Sequence, residues 1–179
     1  LNSEGKAEYR AVIFTRADSP VKSLKDLKGK TFAFGDRRST QGHIIPRKML
    51  EDAGITPANL KGYSFTGFHT NTVRAVLNGE YDAGGIQDNL AKRLVKEGNI
   101  KVIAVSKPYP SSLICYSKYV DPLIIKAVKS TLLSFDPKNS HRKQLVDWDK
   151  TEMPNGFTEF NSATLEEIKT LTYKYGLLK

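Results

Sequence analysis

A hydroxyl-rich turn is the stretch of this sequence with the clearest capacity for chemistry. Residues 34–43 read FGDRRSTQGH, which is typical of a strand that runs directly into the start of a helix. The first amides of a helix have no partner within it and carry the positive end of its dipole, so they bind anions readily. The hydroxyls of Ser39 and Thr40 add two further donors. The turn is therefore a candidate site for a small oxyanion.

The same turn has a simpler interpretation. Ser and Thr are favoured N-caps, so Ser39 or Thr40 could serve only to begin the helix. The neighbouring Gly-Lys-Thr at residues 29–31 is not a phosphate-binding Walker A loop, because Leu24 stands where that motif needs its first glycine. No G-x-G-x-x-G fingerprint is present either. Nucleotide phosphate binding therefore lacks support.

A histidine follows the next strand end along the chain. Residues 66–71 read TGFHTN, and they place His69 at or just before the start of a further helix. Ligands bind at the carboxyl ends of the strands in open α/β sheets. An imidazole beside an anion is favoured in its charged form, and it donates to an oxyanion oxygen in either state. The alternative is a structural role, which is common for a single histidine.

Strands and helices alternate along most of the chain. This alternation predicts an α/β protein with right-handed βαβ units and a mostly parallel sheet. The sequence predicts strands over 9–14, 31–36, 63–67, 81–86, 101–106 and 112–117. It predicts seven helices. Five begin near Ser23, Thr40, Asp121, Ser140 and Thr164, and two, which stand third and fourth in the chain, carry Val73 and Leu90 on their apolar faces. The second of these helices should run from about residue 40 to residue 53, before Gly54, the sixth should end at Trp148, and the last should stop at Gly176.

A rigid passage divides the chain into two bodies. Pro108 and Pro110 disfavour helix and remove two backbone donors, so they mark a connector. We expect residues 22–107 to form one complete lobe, and residues 1–21 with 108–179 to form a partial, discontinuous one. Two strands are marginal as a sheet. The partial lobe should therefore need another chain or a missing segment to complete it.

Composition narrows the range of partners. The net charge is +9 and the pI is about 9.5, which favours anionic partners. No basic block or aromatic-interleaved pattern indicates nucleic-acid binding.

No apolar run approaches the roughly 20 residues of a membrane-spanning helix, and residues 1–10 lack a signal-peptide core. The single Cys115 lies in an apolar run, which predicts burial.

An enzyme is disfavoured by what the sequence lacks. Its three histidines form no H-E-x-x-H motif, and the single cysteine allows no paired-cysteine metal site. No nucleophile elbow surrounds Ser39. We therefore predict no catalytic residues, no metal and no cofactor.

Three strings resemble a known family. SPVKSLKDLKGKTFAFGD, then STQG, then GFHTNTVRAVLNGEYDAG are similar to the phosphonate-, phosphite- and phosphate-binding proteins of ABC importers. These are two-lobed substrate-binding proteins that close on a ligand. The resemblance implies a periplasmic-binding-protein-like fold with two hinge crossings. It also implies that about 90 residues, most of the first lobe, would precede Tyr9.

The resemblance also implies a set of site residues. The family's serine/threonine turn maps onto Ser39, Thr40 and Gly42, and its histidine maps onto His69. Gln41 replaces the usual third hydroxyl and keeps a donor on a longer side chain. In relatives that take aminoalkyl phosphonates a carboxylate holds the ligand amine, and Asp88 occupies about that place. The alternative for Asp88 is an N-cap of the following helix.

The resemblance implies a function without catalysis. We expect capture of a small tetrahedral oxyanion for an ABC transporter membrane subunit, by a periplasmic or membrane-anchored extracellular protein. The alternative is the extracytoplasmic sensing domain of a signalling receptor such as a histidine kinase. A membrane helix beyond Lys179 would favour that alternative.

Overall fold

The chain divides into two compact units. A computed structural model describes residues 1–160 and 165–178. The smaller unit comprises Leu1–Tyr9 and Tyr109–Leu165, and the larger unit comprises Arg10–Pro108 and Glu166–Lys179. This division differs from the expected one, because residues 10–21 and the C-terminal helix belong to the larger unit. The chain therefore passes between the units three times, once more than the two crossings expected.

A five-stranded sheet forms the centre of the larger unit. Its strands are β2 (Ala11–Arg16), β3 (Thr31–Phe34), β4 (Gly62–Phe65), β5 (Ala83–Gln87) and β6 (Ile100–Val105). Their order is β4-β3-β5-β2-β6. The pairs β3–β4 and β3–β5 are parallel, whereas β2 is antiparallel to both β5 and β6. Four strands therefore share one direction, which confirms the α/β class with a mostly parallel sheet.

The antiparallel strand β2 lies between β5 and β6 instead of in the smaller unit. Its first five residues, AVIFT, are all buried. A strand without polar alternation needs cover on both faces, and β2 has it because hydrophobic clusters lie on both sides of the sheet. The local pattern predicted the strand correctly, but the expected division placed it in the other lobe.

Two hydrophobic clusters sandwich this sheet. Side chains alternate along β2, so Val12 and Phe14 join one cluster and Ile13 joins the other. The helices are α1 (Ile45–Asp52), α2 (His69–Leu77) and α3 (Asp88–Lys96). Short 3₁₀ helices cover Leu24–Leu27 and Pro57–Asn59, and a π-helical turn, Thr40–Ile44, leads into α1. The predicted helix over 40–53 is confirmed as this turn plus α1.

The smaller unit contains less regular structure than the sequence predicts. Its strands β1 (Glu8–Tyr9) and β7 (Tyr109–Pro110) pair antiparallel, and α4 (Pro122–Leu133) begins at the predicted Asp121 cap. The strand predicted over 112–117 is wrong, and Cys115 is exposed. The helix predicted over 140–148 is also wrong: 3₁₀ turns cover Arg142–Gln144 and Trp148–Lys150. A strand needs neighbours for its backbone groups, and the described part of this unit offers 112–117 none.

The C-terminal helix α5 (Glu166–Lys174) belongs to the larger unit. Gly176 follows it with a φ of 67°, as the predicted stop requires. Thr164 of the predicted capping box lies outside the described residues. Within residues 1–160 and 165–178, no helix combines the length and apolar character needed to cross a membrane.

Candidate functional site

Three strand ends bring the predicted site residues to one edge of the larger unit. Because β3, β4 and β5 run parallel, their carboxyl ends meet at the same edge. The hydroxyl-rich turn follows β3, His69 follows β4, and Asp88 follows β5. The amino end of β2 lies there as well, because Ala11 pairs with Gln87.

The turn after β3 is organised around Ser39. Its carbonyl accepts hydrogen bonds from the amides of His43 and Ile44, both at 3.0 Å. Its hydroxyl oxygen accepts from the amide of Gly42 at 2.9 Å. Ser39 is therefore the N-cap, as the simpler interpretation holds. Since a hydroxyl also carries one donor, capping leaves its proton available for an anion.

Close glycine packing brings His69 to this turn. A Cβ atom on Gly42 would lie 3.0 Å from Ser39 Oγ and 3.3 Å from His69 Cε1. It would also lie 3.1 Å from Gly35 Cα, and the Gly35 amide donates to the Gly42 carbonyl at 2.8 Å. The hydroxyl and the imidazole therefore face the same small region beside Gly42. Their role in ligand binding stays a prediction.

Thr40, Gln41 and His69 lie at the starts of two helical segments. Thr40 and Gln41 are half-buried and supply the first two amides of the π-helical turn. His69 is half-buried and is the first residue of α2, where the helix dipole favours an anion. The preceding Phe68 is 76% exposed. The starts of the π-helical turn and of α2 therefore lie at the same edge of the sheet.

Asp88 is largely buried at the start of α3. Its Oδ1 accepts from the amide of Asn89 at 2.9 Å, and its own amide donates to the Arg10 carbonyl at 3.1 Å. The N-cap position belongs to Gln87, one residue earlier than the capping alternative supposed. Asp88 therefore lies at the same edge as the turn, with its carboxylate engaged by the first turn of its own helix.

Sequence reasoning missed Arg10. Its Nη1 donates to the Ser106 carbonyl at 2.9 Å, and Ser106 also bonds the backbone of Ala11. These contacts hold a guanidinium at the edge where the parallel strands end. The antiparallel direction of β2 is what brings Arg10 there, and no local sequence signal gives that direction.

Sequence reasoning also gave His43 no role. Its ring is 2% exposed, and its Nδ1 lies 2.6 Å from the Arg37 carbonyl, to which it must donate. Burial lowers the pKa of His43, chiefly by desolvation, and the nearby Arg47 and Arg37 charges lower it further. The ring is therefore neutral and fixed in one tautomer, and it holds the loop that leads into Ser39.

The net positive charge of the chain comes entirely from the larger unit. That unit carries 20 Lys and Arg against 11 Asp and Glu, whereas the smaller unit carries 8 of each. Arg37 and Arg38 are exposed next to the turn, and the Arg37 guanidinium stacks 4.6 Å from the centroid of the Phe65 ring. The field around the candidate site therefore favours anions. The described residues contain no cluster of three or more His, Cys, Asp or Glu that could hold a metal ion.

Comparison with known protein families identifies the chain. A family model described as the periplasmic substrate-binding protein of phosphonate ABC transporters matches residues 1–165. The chain belongs to this family. Its members are transport components without enzymatic activity, and they are periplasmic. Membership confirms the predicted resemblance.

Individual relatives agree with this family. The chain is 29% identical over 140 residues to a probable ABC transporter phosphite-binding protein of Prochlorococcus marinus, covering 72% of this chain and 47% of that protein. A solved structure from Prochlorococcus marinus in complex with methylphosphonate matches with a TM-score of 0.78 and 22% identity, covering 99% of this chain and 70% of that one. The second similarity shows a shared fold.

A sensor protein matches a shorter stretch. The tetrathionate sensor histidine kinase of Salmonella typhimurium is 40% identical over 58 residues, covering 32% of this chain and 10% of the kinase. This partial match is minor beside the transport proteins. The chain spans about half the length, or less, of the curated transport relatives it matches.

Proposed function

We propose that this chain forms part of an ABC importer's substrate-binding protein and holds a small tetrahedral oxyanion beside Gly42. The ligand class is a phosphonate, phosphite or phosphate. The observation that carries the proposal is the approach of Ser39 Oγ and His69 Cε1 to one point, 3.0 and 3.3 Å from the Cβ position of Gly42. Family membership supports it independently.

Each residue of the proposed site has a distinct task. The hydroxyls of Ser39 and Thr40, the side-chain amide of Gln41 and the first amides of the turn donate to the anion. His69 donates from the second loop. Each charge-assisted hydrogen bond contributes about 1.5–3 kcal/mol. Three or four of them approach the roughly 8.2 kcal/mol of micromolar binding before entropy costs are subtracted.

Asp88 extends this proposal to one subclass of ligands. A carboxylate at the edge where the oxyanion binds is suited to the amine of an aminoalkyl phosphonate. We therefore expect Asp88→Asn to weaken binding of aminoethylphosphonate while leaving methylphosphonate unaffected. Equal effects on both ligands would show that Asp88 only stabilises the start of α3 and does not contact the ligand amine.

The partner of this protein would be the membrane subunit of the importer. We propose a periplasmic or membrane-anchored extracellular location, in keeping with the family. We further propose that a first-lobe segment or another chain completes the smaller unit. The exposed apolar side chains of Leu113, Ile114 and Tyr116 support this, as does an apolar cavity of about 530 Å³ beside them.

Isothermal titration calorimetry of the full-length protein tests the proposed ligand class. Phosphate, phosphite, methylphosphonate and aminoethylphosphonate form the panel. We expect Ser39→Ala and His69→Ala each to weaken binding about 10- to 150-fold, the value of one lost charge-assisted bond. Ser130→Ala, an exposed serine on α4, is the control and should leave affinity unchanged. Heat from none of the four anions would refute the proposal.

A sensing role is the second candidate, and the match to the tetrathionate sensor kinase favours it. In this case the same site would hold the ligand and the partner would be a kinase domain. The reading frame beyond residue 179 distinguishes the two functions. A membrane helix followed by a kinase would establish the sensor, and a stop codon would establish the transport component.

A further inference from the structure

A stripe of three side chains runs along the turn and α1, on the side where α5 ends. His43, Arg47 and Glu51 are spaced four residues apart, so they share one face of this helical segment. Tyr175, the first residue after α5, lies over all three. Its ring centroid is 4.0 Å from Arg47 Cζ and 6.1 Å from the centroid of the His43 ring, and its Oη donates to Glu51 Oε2 at 3.1 Å.

Glu51 anchors the end of α5 to α1. Its carboxylate accepts from Arg47 Nε at 3.1 Å, from Lys174 Nζ at 2.6 Å and from Tyr175 Oη. The Glu51 side chain is only 16% exposed. Burial raises the pKa of Glu51, but the hydrogen bonds from Lys174, Arg47 and Tyr175 together lower it below its usual range. Glu51 is therefore a charged acceptor with three donors.

His43 connects this stripe to the proposed oxyanion site. Its Nδ1–H donates to the carbonyl of Arg37 at 2.6 Å, two residues before Ser39. Phe34 and Phe65 pack against the His43 ring with centroid distances of 5.0 and 4.8 Å. The Tyr175 ring is a third aromatic neighbour of His43, with a centroid distance of 6.1 Å. The rotamer of His43, and through it the loop that carries Ser39, is therefore fixed by contacts that include the Tyr175 ring.

We propose that Tyr175 is a positioning residue for the oxyanion site. Its ring confines His43, which in turn fixes the Arg37 carbonyl and the orientation of the Ser39 hydroxyl. The inference rests on the proposed function, because it concerns the same site. A donor that is already oriented loses less entropy when the anion binds, so removing the ring should weaken affinity without removing any ligand contact.

Two variants and a matched control test this role in the full-length protein. Tyr175→Ala removes the ring, whereas Tyr175→Phe keeps the ring and removes only the bond to Glu51. Tyr173→Ala is the control, because Tyr173 is a tyrosine in the last turn of α5, two residues before Tyr175, and is 51% exposed. Calorimetry with phosphate, phosphite and methylphosphonate should show at least tenfold weaker binding for Tyr175→Ala. Tyr175→Phe should bind within threefold of the wild type, and Tyr173→Ala should have the affinity of the wild type.

A further variant and an NMR measurement test the same role. Glu51→Gln keeps the side-chain volume and the Tyr175 ring but weakens the anchor, so it should bind more weakly than Tyr175→Phe. This comparison does not depend on Tyr175→Ala, and an affinity equal to that of the wild type would count against the positioning role. In NMR spectra without ligand, the His43 Nδ1–H of Tyr175→Ala should exchange with water faster than that of Tyr173→Ala. Equal exchange rates in these two variants would overturn the positioning role.

The binding data separate the inference from the function on which it rests. Wild-type protein that binds none of the three anions would refute the oxyanion site itself. Wild-type protein that binds, together with a Tyr175→Ala variant of unchanged affinity, would refute only the positioning role. Equal losses in Tyr175→Ala and Tyr173→Ala would also refute it, because they would report a general effect of truncating side chains at the end of α5 and just after it.

Discussion

Replacing Gly42 by alanine tests the proposed site with one methyl group. The new Cβ would lie 3.0 Å from Ser39 Oγ, 3.1 Å from Gly35 Cα and 3.3 Å from His69 Cε1. The Gly35 contact is with backbone, so part of the crowding must be absorbed as overpacking, which costs about 1–3 kcal/mol of stability. The other two contacts are with the proposed donors. Their side chains would have to move away from the point where they converge.

The expected loss of affinity follows from those two donors. Each charge-assisted hydrogen bond is worth about 1.5–3 kcal/mol, so losing both weakens binding by about 3–6 kcal/mol. This corresponds to a dissociation constant roughly 10²- to 10⁴-fold higher. Calorimetry with methylphosphonate and phosphite measures this change. It is done at a temperature at which urea denaturation shows that the variant is folded.

A second glycine provides the control for this experiment. A Cβ on Gly62 in β4 would meet no atom within 4 Å. Gly62→Ala should therefore keep the wild-type affinity, with stability unchanged or raised by up to about 1 kcal/mol. A folded Gly42→Ala protein with the affinity of Gly62→Ala would show that no anion binds beside Gly42.

Three further predictions concern stability, measured by urea denaturation. Gly85→Ala places a Cβ 2.8 Å from Pro46 Cγ, so it should cost about 1–3 kcal/mol; a neutral result would contradict this close packing. Asp82→Ala removes the acceptor of the Thr31 amide and hydroxyl, at 2.8 and 2.9 Å, and should cost about 1–3 kcal/mol. Burial lowers the pKa of His43 below 6.5, so the unfolded chain protonates first and stability should fall as pH drops below 6.5; His43→Gln should reduce that slope.

The elements around the candidate site could be predicted because their signals are local. Ser39 and Thr40 follow an apolar strand and precede a helical pattern, and this order alone predicts the N-cap and the turn. Gly54 ends the helix as predicted, with a φ of 79°. The approach of His69 to the turn follows from one further inference, that neighbouring parallel strands end at the same edge.

What could not be predicted depends on partners distant in sequence. The apolar run of β2 predicts burial but does not name its neighbours, so its antiparallel position and the place of Arg10 were missed. Tyr175 packs against His43 although it lies near the other end of the chain. Hydrophobic periodicity does not predict a contact between residues so distant in sequence. Residues 112–117 have the pattern of a strand, yet they form none, because a strand also needs a neighbour.

The place of β2 in the sheet has a consequence for how the protein forms. This strand is the first of the five to leave the ribosome, but Val12 pairs with Ile86 and Val105, which are synthesised much later. The apolar side chains of β2 therefore stay exposed to solvent during synthesis until β6 has emerged. This exposure makes the nascent chain prone to aggregation. A fragment that started at residue 22 would lack the strand that joins β5 to β6, and the sheet would be split in two.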